Sequence, residues 1–436
     1  MKYALVRASL SAFQAAFSFS DSYVVHILAS RSSVDRVVSN VLPWFTYAYL
    51  MSMCLLLLLY TFRANHRFFD RYIIYVGGLL RSLTLFLLFM SKSETMDIVL
   101  ECCSGASFAT FPSLWGYLLV LFPEKPHKAM ATARSTYFAA LVSSALLGFA
   151  MIATSAIPLS DVILLSFVVC STLFVAVVIF LPRSICGNSP SAAGTRTADG
   201  KVYNSRNWIG ELGDAFKRIR WSRRLLFWAS MVAVSTAIHS WVLTFWQALA
   251  EPIDWRRNGV VVAVAYSAST FSAYLARYAP PAHRRAAVNL CGIMCLVSAL
   301  VLFLLSRSGN FWGLCATMAI YHALFTALNC VSLVQLGQEA ENEPSLMILL
   351  STIIALGIQS VIQVVTVSTS TSLSVIFEGV AFALGTFAAI WLLVFLLFKS
   401  RMPSADRLES QRDPVVAALA EQSDTVQLLQ DSATVL

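Results

Sequence analysis

Long apolar stretches alternate with short polar segments along almost the whole chain. An apolar stretch of about 20 residues can cross a bilayer as a helix, and a helix satisfies its own backbone hydrogen bonds, which lipid cannot do. The pattern predicts twelve membrane-spanning helices in two sets of six. The first set covers residues 4–29, 39–61, 70–90, 95–122, 127–154 and 160–182, and the second covers 222–250, 257–278, 285–306, 310–336, 344–370 and 373–398.

The longest polar break separates the sixth predicted span from the seventh. Its first part is rich in Ser, Gly and Ala, which favours a flexible segment. Its second part, WIGELGDAFKRIRW, has the alternation of an amphipathic helix on the membrane surface, although a simple orientation signal is the favoured interpretation. The pattern predicts four regions: an N-terminal half (1–182), a cytoplasmic linker (183–221), a C-terminal half (222–398) and a mostly disordered cytoplasmic tail (399–436).

Composition strengthens the membrane assignment. The chain is 58% hydrophobic and 12% charged, with a mean hydropathy of +0.71, whereas a soluble domain has about 25% charged residues. The net charge of +8 does not indicate a nucleic-acid partner, because the Lys and Arg residues cluster between apolar stretches. Most of the 31 basic residues fall on the side that also holds both termini. The positive-inside rule therefore predicts a multi-pass protein, expected in the plasma membrane, with cytoplasmic termini.

Several chemistries have no support in the sequence. The nine cysteines are scattered without a C-x-x-C spacing, which favours neither a metal site nor a disulfide framework. No phosphate-binding loop, G-x-S-x-G or H-E-x-x-H motif occurs, so we expect no enzyme, no primary pump and no cofactor. Two sets of six spans joined by a long loop are typical of major facilitator transporters. The predicted fold class is therefore an all-α membrane protein with a pseudo-symmetric 6+6 arrangement.

Polar side chains inside the predicted spans are the candidates for function, because such groups usually face a cavity or one another. Asp21 has no Lys or Arg within a helical turn. A role in the substrate cavity is the favoured interpretation, and pairing with Arg134 is the alternative. Glu101 is favoured as an interhelical or helix-end group. His239 and His322 are interpreted first as hydrogen-bonded structural groups, although a cavity histidine could couple transport to protons.

Three further residues have two interpretations each. Arg81, in a supporting span, is predicted to form an ion pair, for example with Glu101, or to extend towards the interface. Phe45 and Trp246 belong to aromatic stretches of the kind that usually pack inside the protein or at the membrane interface. Both rings could also stack against a flat heterocycle.

The order of several segments resembles a known family. These segments are SDSYVVHIL, VLPWFTYAYLMSMCLLLLLYTFR, TMDIVLECCSGASFATF, ATARSTYFAALVSSALLGF, SRRLLFWASMVAVSTAIHSWVLTFWQALAE, RRNGVVVAVAYSAST, VSLVQLG and STIIALGIQSVIQVV. They are similar to the reduced folate carrier family, which includes folate carriers and thiamine transporters. The resemblance covers nearly all the spans. It implies a twelve-span facilitator fold and secondary transport of a vitamin, either anionic folates exchanged for organic anions or cationic thiamine.

The resemblance also implies roles for individual residues. Asp21 aligns with a glutamate of the family, and Phe45 aligns with a tryptophan that stacks on the substrate in thiamine transporters. Ser240 and Thr244 align with asparagines of the thiamine site. Arg134 matches an arginine that is found in both branches. These matches imply a substrate site built from both halves of the chain.

Three positions depart from the folate branch. Thr110 and His322 align with folate-site arginines, and Gln359 aligns with a lysine that is a glutamine in thiamine transporters. Because folates carry two carboxylates and need fixed cations, these changes favour thiamine or a similar heterocycle. Thr110 also lacks the acid of the thiamine branch, so a folate carrier is the runner-up. A receptor or scaffold that has lost transport is the second alternative. A proton and an organic anion both stay open as counter-substrate.

Overall fold

The structure is a computed structural model of the chain. It describes residues 22–62, 66–111, 126–153, 158–180, 223–276, 284–339, 344–369 and 372–399. Asp21, the predicted linker 183–221 and the predicted tail beyond residue 399 lie outside these ranges. Residues 1–388 form one compact unit. Residues 389–436 form a second, of which the described part is the helical segment 389–399.

The described ranges are helical and contain no β-strand. The helices are α1 (Val24–Ala29), α2 (Leu42–Phe62), α3 (His66–Met90), α4 (Glu94–Phe108), α5 (Pro126–Ala153), α6 (Leu159–Phe180), α7 (Arg223–Asp254), α8 (Asn258–Ala276), α9 (Arg284–Ser306), α10 (Phe311–Glu339), α11 (Pro344–Ser368) and α12 (Leu373–Lys399). A short turn, Val34–Arg36, and a π-helical stretch, Val37–Val41, precede α2. A 3-10 turn, Trp255–Arg257, joins α7 to α8.

Nine stretches of the described residues are long and apolar enough to cross a membrane, and the stretch Arg224–Ala276 includes both α7 and α8. The all-helical membrane architecture predicted from the apolar pattern is therefore confirmed. The number of twelve spans and the four regional boundaries stay predictions.

Local sequence explains where two of the helices begin. Ser93 precedes α4, and its hydroxyl accepts a hydrogen bond from the backbone N–H of Met96 at 3.3 Å. Glu94 and Asp97 lie in the first turn of α4, where a negative charge interacts favourably with the helix dipole. Asn310 precedes α10 and accepts from the N–H of Gly313 at 2.7 Å.

Small residues allow close packing inside each group of helices. Gly105 of α4 lies against the backbone carbonyl of Phe45 in α2, and Gly77 of α3 lies under the side chain of Thr110. In the C-terminal group, Ala237 of α7 packs against Ala355 of α11. These contacts hold α2, α3 and α4 together, and they hold α7 against α11.

Among the described residues, three pairs of helices pack the N-terminal helices (α1–α6) most directly against the C-terminal helices (α7–α12). In the first, α5 packs against α8. In the second, α2 packs against α11, where Met53 and Leu356 belong to one apolar cluster. In the third, α1 packs against α7. These contacts bring residues from both parts of the chain to the same places, which is a requirement for a site shared by the two.

Candidate functional site

Aromatic rings and two histidines from α7, α8 and α10 form one cluster, here called the ring cluster. His239 of α7 stacks on Phe325 of α10, with ring centroids 3.5 Å apart and an interplanar angle of 9°. His322 meets the His239 ring edge-on at 5.1 Å and the Tyr266 ring of α8 edge-on at 5.4 Å. Tyr321 lies 5.7 Å from His239. The cluster brings together two of the predicted site residues, His239 and His322.

The ring cluster is tied to polar groups on its own helices. His322 is only 3% exposed, and its backbone carbonyl accepts a hydrogen bond from Ser269 of α8 at 3.3 Å. Thr326 donates to the Ser269 hydroxyl at 3.1 Å. Among the described residues, His239 Nδ1 is buried and has no hydrogen-bond partner. The cluster therefore presents flat apolar faces together with a ring nitrogen that can still accept or donate a hydrogen bond.

Arg134 connects α5 to the same side of α10. Its Nη1 donates to Asn329 Oδ1 at 2.7 Å and approaches Cys330 Sγ at 3.8 Å. His322, Phe325 and Asn329 are spaced so that they share one face of α10. This contact places Arg134 beside the ring cluster. The alternative pairing of Arg134 with Asp21 concerns a residue outside the described ranges.

A series of ring contacts leads from α2 to the ring cluster. Phe45 meets Phe108 of α4 at 5.2 Å, Phe108 meets Phe111 at 5.1 Å, and Phe111 meets Tyr137 of α5 at 6.2 Å. Tyr137 neighbours Phe138, which stacks on Tyr266 at 5.6 Å. Aromatic faces in such an arrangement suit a flat heterocycle. Phe45, a predicted stacking residue, stands at one end of the series.

Arg81 lies against the same ring series. Its guanidinium carbon is 4.9 Å from the Phe108 ring centroid and 5.3 Å from that of Phe111. A guanidinium over an aromatic face is a favourable contact. Glu101, the partner considered from the sequence, is 6% exposed on α4. The predicted Arg81–Glu101 pairing stays a prediction.

Two glutamines of α11 bind one hydroxyl of α2. Gln359 Nε2 donates to Thr46 Oγ1 at 2.9 Å, and Gln363 Nε2 donates to the same oxygen at 2.7 Å. All three residues are fully buried. Among the described residues, neither carboxamide oxygen has a hydrogen-bond partner. A buried polar group without a partner costs about 1–3 kcal/mol, so this arrangement needs an explanation.

Thr110 faces a neighbouring helix. Its hydroxyl donates to the Ser107 carbonyl at 2.7 Å, and its side chain occupies the space above Gly77 of α3. The structure thus places Thr110 in the packing between α3 and α4. Its predicted role as a substrate ligand stays a prediction.

Ser240 and Thr244 follow His239 along α7. The Thr244 hydroxyl donates to the Ser240 carbonyl at 2.9 Å, which is a local bond within the helix. Both side chains are half-buried, whereas Trp246 is buried. They lie one and five residues after His239. Their predicted role as substrate ligands stays a prediction.

A polar contact joins α1 to the end of α7. His26 Nδ1 lies 2.8 Å from Glu251 Oε1, and the imidazole stacks on Trp255 with centroids 3.5 Å apart and planes 10° apart. Gln247 Oε1 accepts from the backbone N–H of Val25 at 3.3 Å. This group of residues is called the α1–α7 contact below.

Sequence reasoning missed several residues at these sites. Gln363 had a usable signal, because it follows Gln359 by four residues inside an apolar stretch and so shares its helix face. Thr46 adjoins Phe45 but looks like an ordinary helical threonine. Phe325 and Tyr266 resemble packing aromatics, and only the fold brings them to His239 and His322.

Most of the chain matches a described family. A family model described as reduced folate carrier matches residues 2–380. The chain belongs to the reduced folate carrier family. The resemblance read from the quoted segments is thus confirmed, and the protein is an integral membrane transporter. No curated protein sequence matches the chain.

A solved structure supports the same architecture. The crystal structure of a mutant of nucleoside transporter NupG is similar, with a TM-score of 0.58 and 12% sequence identity. The match covers 90% of this chain and 99% of that one. At this identity the likeness shows the fold alone, and that fold is the major facilitator type that the span pattern predicted.

Proposed function

We propose that the protein moves a B vitamin across a membrane by alternating access, with thiamine or a similar cationic or neutral heterocycle as the preferred substrate. The observation that carries this proposal is the chemistry at the positions aligned with folate-site cations. Thr110 and Gln359 are neutral and already donate hydrogen bonds to Ser107 and Thr46. His322 lies among aromatic rings.

The ring series supports a flat substrate. A heterocycle can stack beside aromatic faces such as those of Phe45 and Phe108. His239 Nδ1, which has no hydrogen-bond partner among the described residues, can supply a directional hydrogen bond at the ring cluster. Apolar walls with a few polar groups are typical of small-molecule sites.

The distribution of charge argues against a dianion. Among the described helices, basic residues far from the helix ends are Arg81 and Arg134. The Arg81 guanidinium lies over two phenyl rings, and Arg134 donates to Asn329. Two substrate carboxylates would need cations to offset their desolvation. A cation would instead be favoured by Asp21, which we expect from the sequence to face the substrate cavity.

Folate is the second candidate, because the matching family model is described as reduced folate carrier. In that case Arg134 would be the fixed cation that binds one carboxylate. His239 and His322 would supply further donors from the ring cluster.

Competition for uptake tests the proposal. Labelled thiamine is supplied to cells that express the full chain, with thiamine, pyridoxine, folate or reduced folate as competitor. Thiamine is expected to compete better than either folate. Strong folate uptake that excess thiamine does not reduce would promote the second candidate. A chain at the cell surface that takes up none of these would favour the receptor or scaffold.

Matched ring deletions link uptake to the ring cluster. Phe325→Ala removes the face that covers His239, and uptake should fall about tenfold or more. Phe271→Ala makes the same change on α8 at a side chain that is 64% exposed, and it should leave uptake nearly unchanged. Equal losses, at equal surface expression, would contradict the assignment.

The acid predicted from the sequence has its own control. Asp21→Asn should reduce thiamine uptake much more than Glu101→Gln, because only Asp21 is expected to face the substrate. Uptake per molecule at the cell surface is the measurement. Equal effects would remove Asp21 from the site.

A further inference from the structure

The glutamine pair of α11 is not satisfied by its partner on α2 in the structure. Thr46 has one hydroxyl proton, so it can donate to at most one of the two carboxamide oxygens. Turning either carboxamide over only exchanges an unpaired oxygen for an unpaired amide nitrogen. As placed in the structure, Gln359 and Gln363 each keep a carboxamide oxygen that has no hydrogen-bond partner among the described residues.

The free groups define what kind of ligand fits. Both Nε2 groups point their hydrogens at Thr46 Oγ1, which disfavours a metal ion at that oxygen. Two carboxamide oxygens would repel a carboxylate oxygen. A group with two N–H hydrogens could instead donate one to each oxygen, and such a pairing would remove both unpaired acceptors.

We infer that Thr46, Gln359 and Gln363 form a subsite for the amino group of an amino-substituted heterocycle. This inference rests on the proposed function and deepens it, because thiamine and folates both carry an amino group on a pyrimidine ring. The new members of the site are Thr46 and Gln363. Together with Gln359 they select for the amino group without selecting between the two vitamins.

The position of the subsite fits this role. Thr46 follows Phe45 in α2, so the subsite adjoins the start of the ring series, although the two side chains face different neighbouring helices. The subsite also joins an N-terminal helix to a C-terminal one. Separation of α2 from α11 would uncover the carboxamide oxygens. Closure of the two helices on a ligand would bury the amino group of that ligand.

The test compares substrates that differ only at the amino group. Uptake of labelled thiamine is measured with thiamine or oxythiamine, in which oxygen replaces the amino group, as competitor. The wild-type chain should prefer the amino compound by at least about tenfold, because a site built for an N–H donor rejects analogues that lack it. Gln363→Met keeps a similar shape without an acceptor and should bring that preference close to one. Gln363→Glu keeps an acceptor and should retain a clear preference.

A matched variant separates recognition from stability. Gln335→Met makes the same change at a buried glutamine of α10 and should leave the preference unchanged. Surface amount is measured for every variant. If Gln363→Met does not reach the surface, Gln363→Asn withdraws the acceptor by one methylene and gives the same comparison.

Each outcome separates the inference from the proposed function. If folate is the transported vitamin, folate and its analogue without the 2-amino group replace the thiamine pair. Transport with no preference for the amino compound, or a preference that Gln363→Met leaves intact, overturns the inference alone. A surface-expressed chain that transports neither vitamin overturns the proposed function and the inference with it.

Discussion

The α5–α8 and α2–α11 interfaces join the same two groups of helices by opposite means. At α5–α8, Gly259 lets the helices approach so closely that an added Cβ would lie 2.9 Å from the Ala145 carbonyl oxygen. At α2–α11, Gln359 and Gln363 reach Thr46 through side-chain hydrogen bonds. When helices separate, close backbone packing is lost without replacement, whereas hydrogen-bonding groups can exchange their partners for water or ligand. We therefore expect the α5–α8 interface to stay closed, and we expect the polar groups of the α2–α11 interface to exchange partners.

The strongest way to break this comparison is to enlarge Gly259. In Gly259→Val, the added Cβ would lie 2.6 Å from the Tyr23 hydroxyl oxygen, and its two methyl groups would need further space. Overpacking of this kind should cost about 3 kcal/mol or more and abolish most transport. Thermal unfolding in detergent and uptake per surface molecule measure the two effects.

Gly357 provides the matched control on α11. An added Cβ there meets no heavy atom within 4 Å among the described residues. Gly357→Val should therefore leave stability and uptake close to wild type. A similar loss from both variants would show that α5–α8 packing is not special.

The second test acts on the polar interface. Thr46→Val keeps the shape of the side chain but leaves both glutamine Nε2 groups without their acceptor. Stability should fall by about 2 kcal/mol. Replacing Thr46, Gln359 and Gln363 together by Val, Met and Met should restore most of that stability, because no buried polar group is then left over. Transport by this triple variant should stay low. That result would show that transport needs hydrogen-bonding groups that exchange partners at α2–α11, and not only a stable packed interface.

The third test concerns the α1–α7 contact, which combines both kinds of interaction. His26→Ala removes the contact with Glu251 and the stack on Trp255. The side chains are partly exposed, so the expected loss is about 1 kcal/mol. His26→Phe keeps a ring for Trp255 and should recover part of the loss. Identical melting temperatures for the Ala and Phe variants would show that stacking contributes little.

The smallest effect is expected within one group of helices. Arg307 lies in the turn between α9 and α10, and its Nε is 2.6 Å from Glu378 Oε1 of α12. The arginine side chain is 65% exposed. Exposed ion pairs contribute little, so Arg307→Gln should change stability by less than about 0.5 kcal/mol and leave uptake unchanged. A larger change in uptake would mean that contacts inside the C-terminal group of helices also control the exchange of hydrogen-bond partners between the two groups.

Helix positions were predictable because the apolar stretches are long and recur regularly along the chain. Predicted spans such as 285–306 and 373–398 agree closely with Arg284–Ser306 and Leu373–Lys399. Burial in lipid sets the length of such stretches, so the signal is local and repeated. A span boundary can therefore be read without knowing what the helix touches.

Partners distant in the sequence could not be read in the same way. Asn329 lies 195 residues beyond Arg134, and Gln359 lies 313 residues beyond Thr46. Which helix faces meet depends on the tertiary arrangement, and one sequence carries no trace of that pairing. The family resemblance singled out His322 and Gln359 as candidates, and the spacing of Gln363 from Gln359 was a usable signal, but the rings of Tyr266 and Phe325 became visible only in the fold.

The stack of His26 on Trp255 has an optical consequence. The indole is face to face with an imidazole, edge-on to Tyr23 at 6.4 Å, and 5.7 Å from the guanidinium carbon of Arg256. Indole emission responds to stacked rings and nearby charge, so any movement of α1 away from α7 would alter it. With the other nine of the ten tryptophans replaced by phenylalanine, Trp255 would act as a built-in fluorophore. Its emission would follow the opening and closing of this contact in real time, without a label or a radioactive substrate.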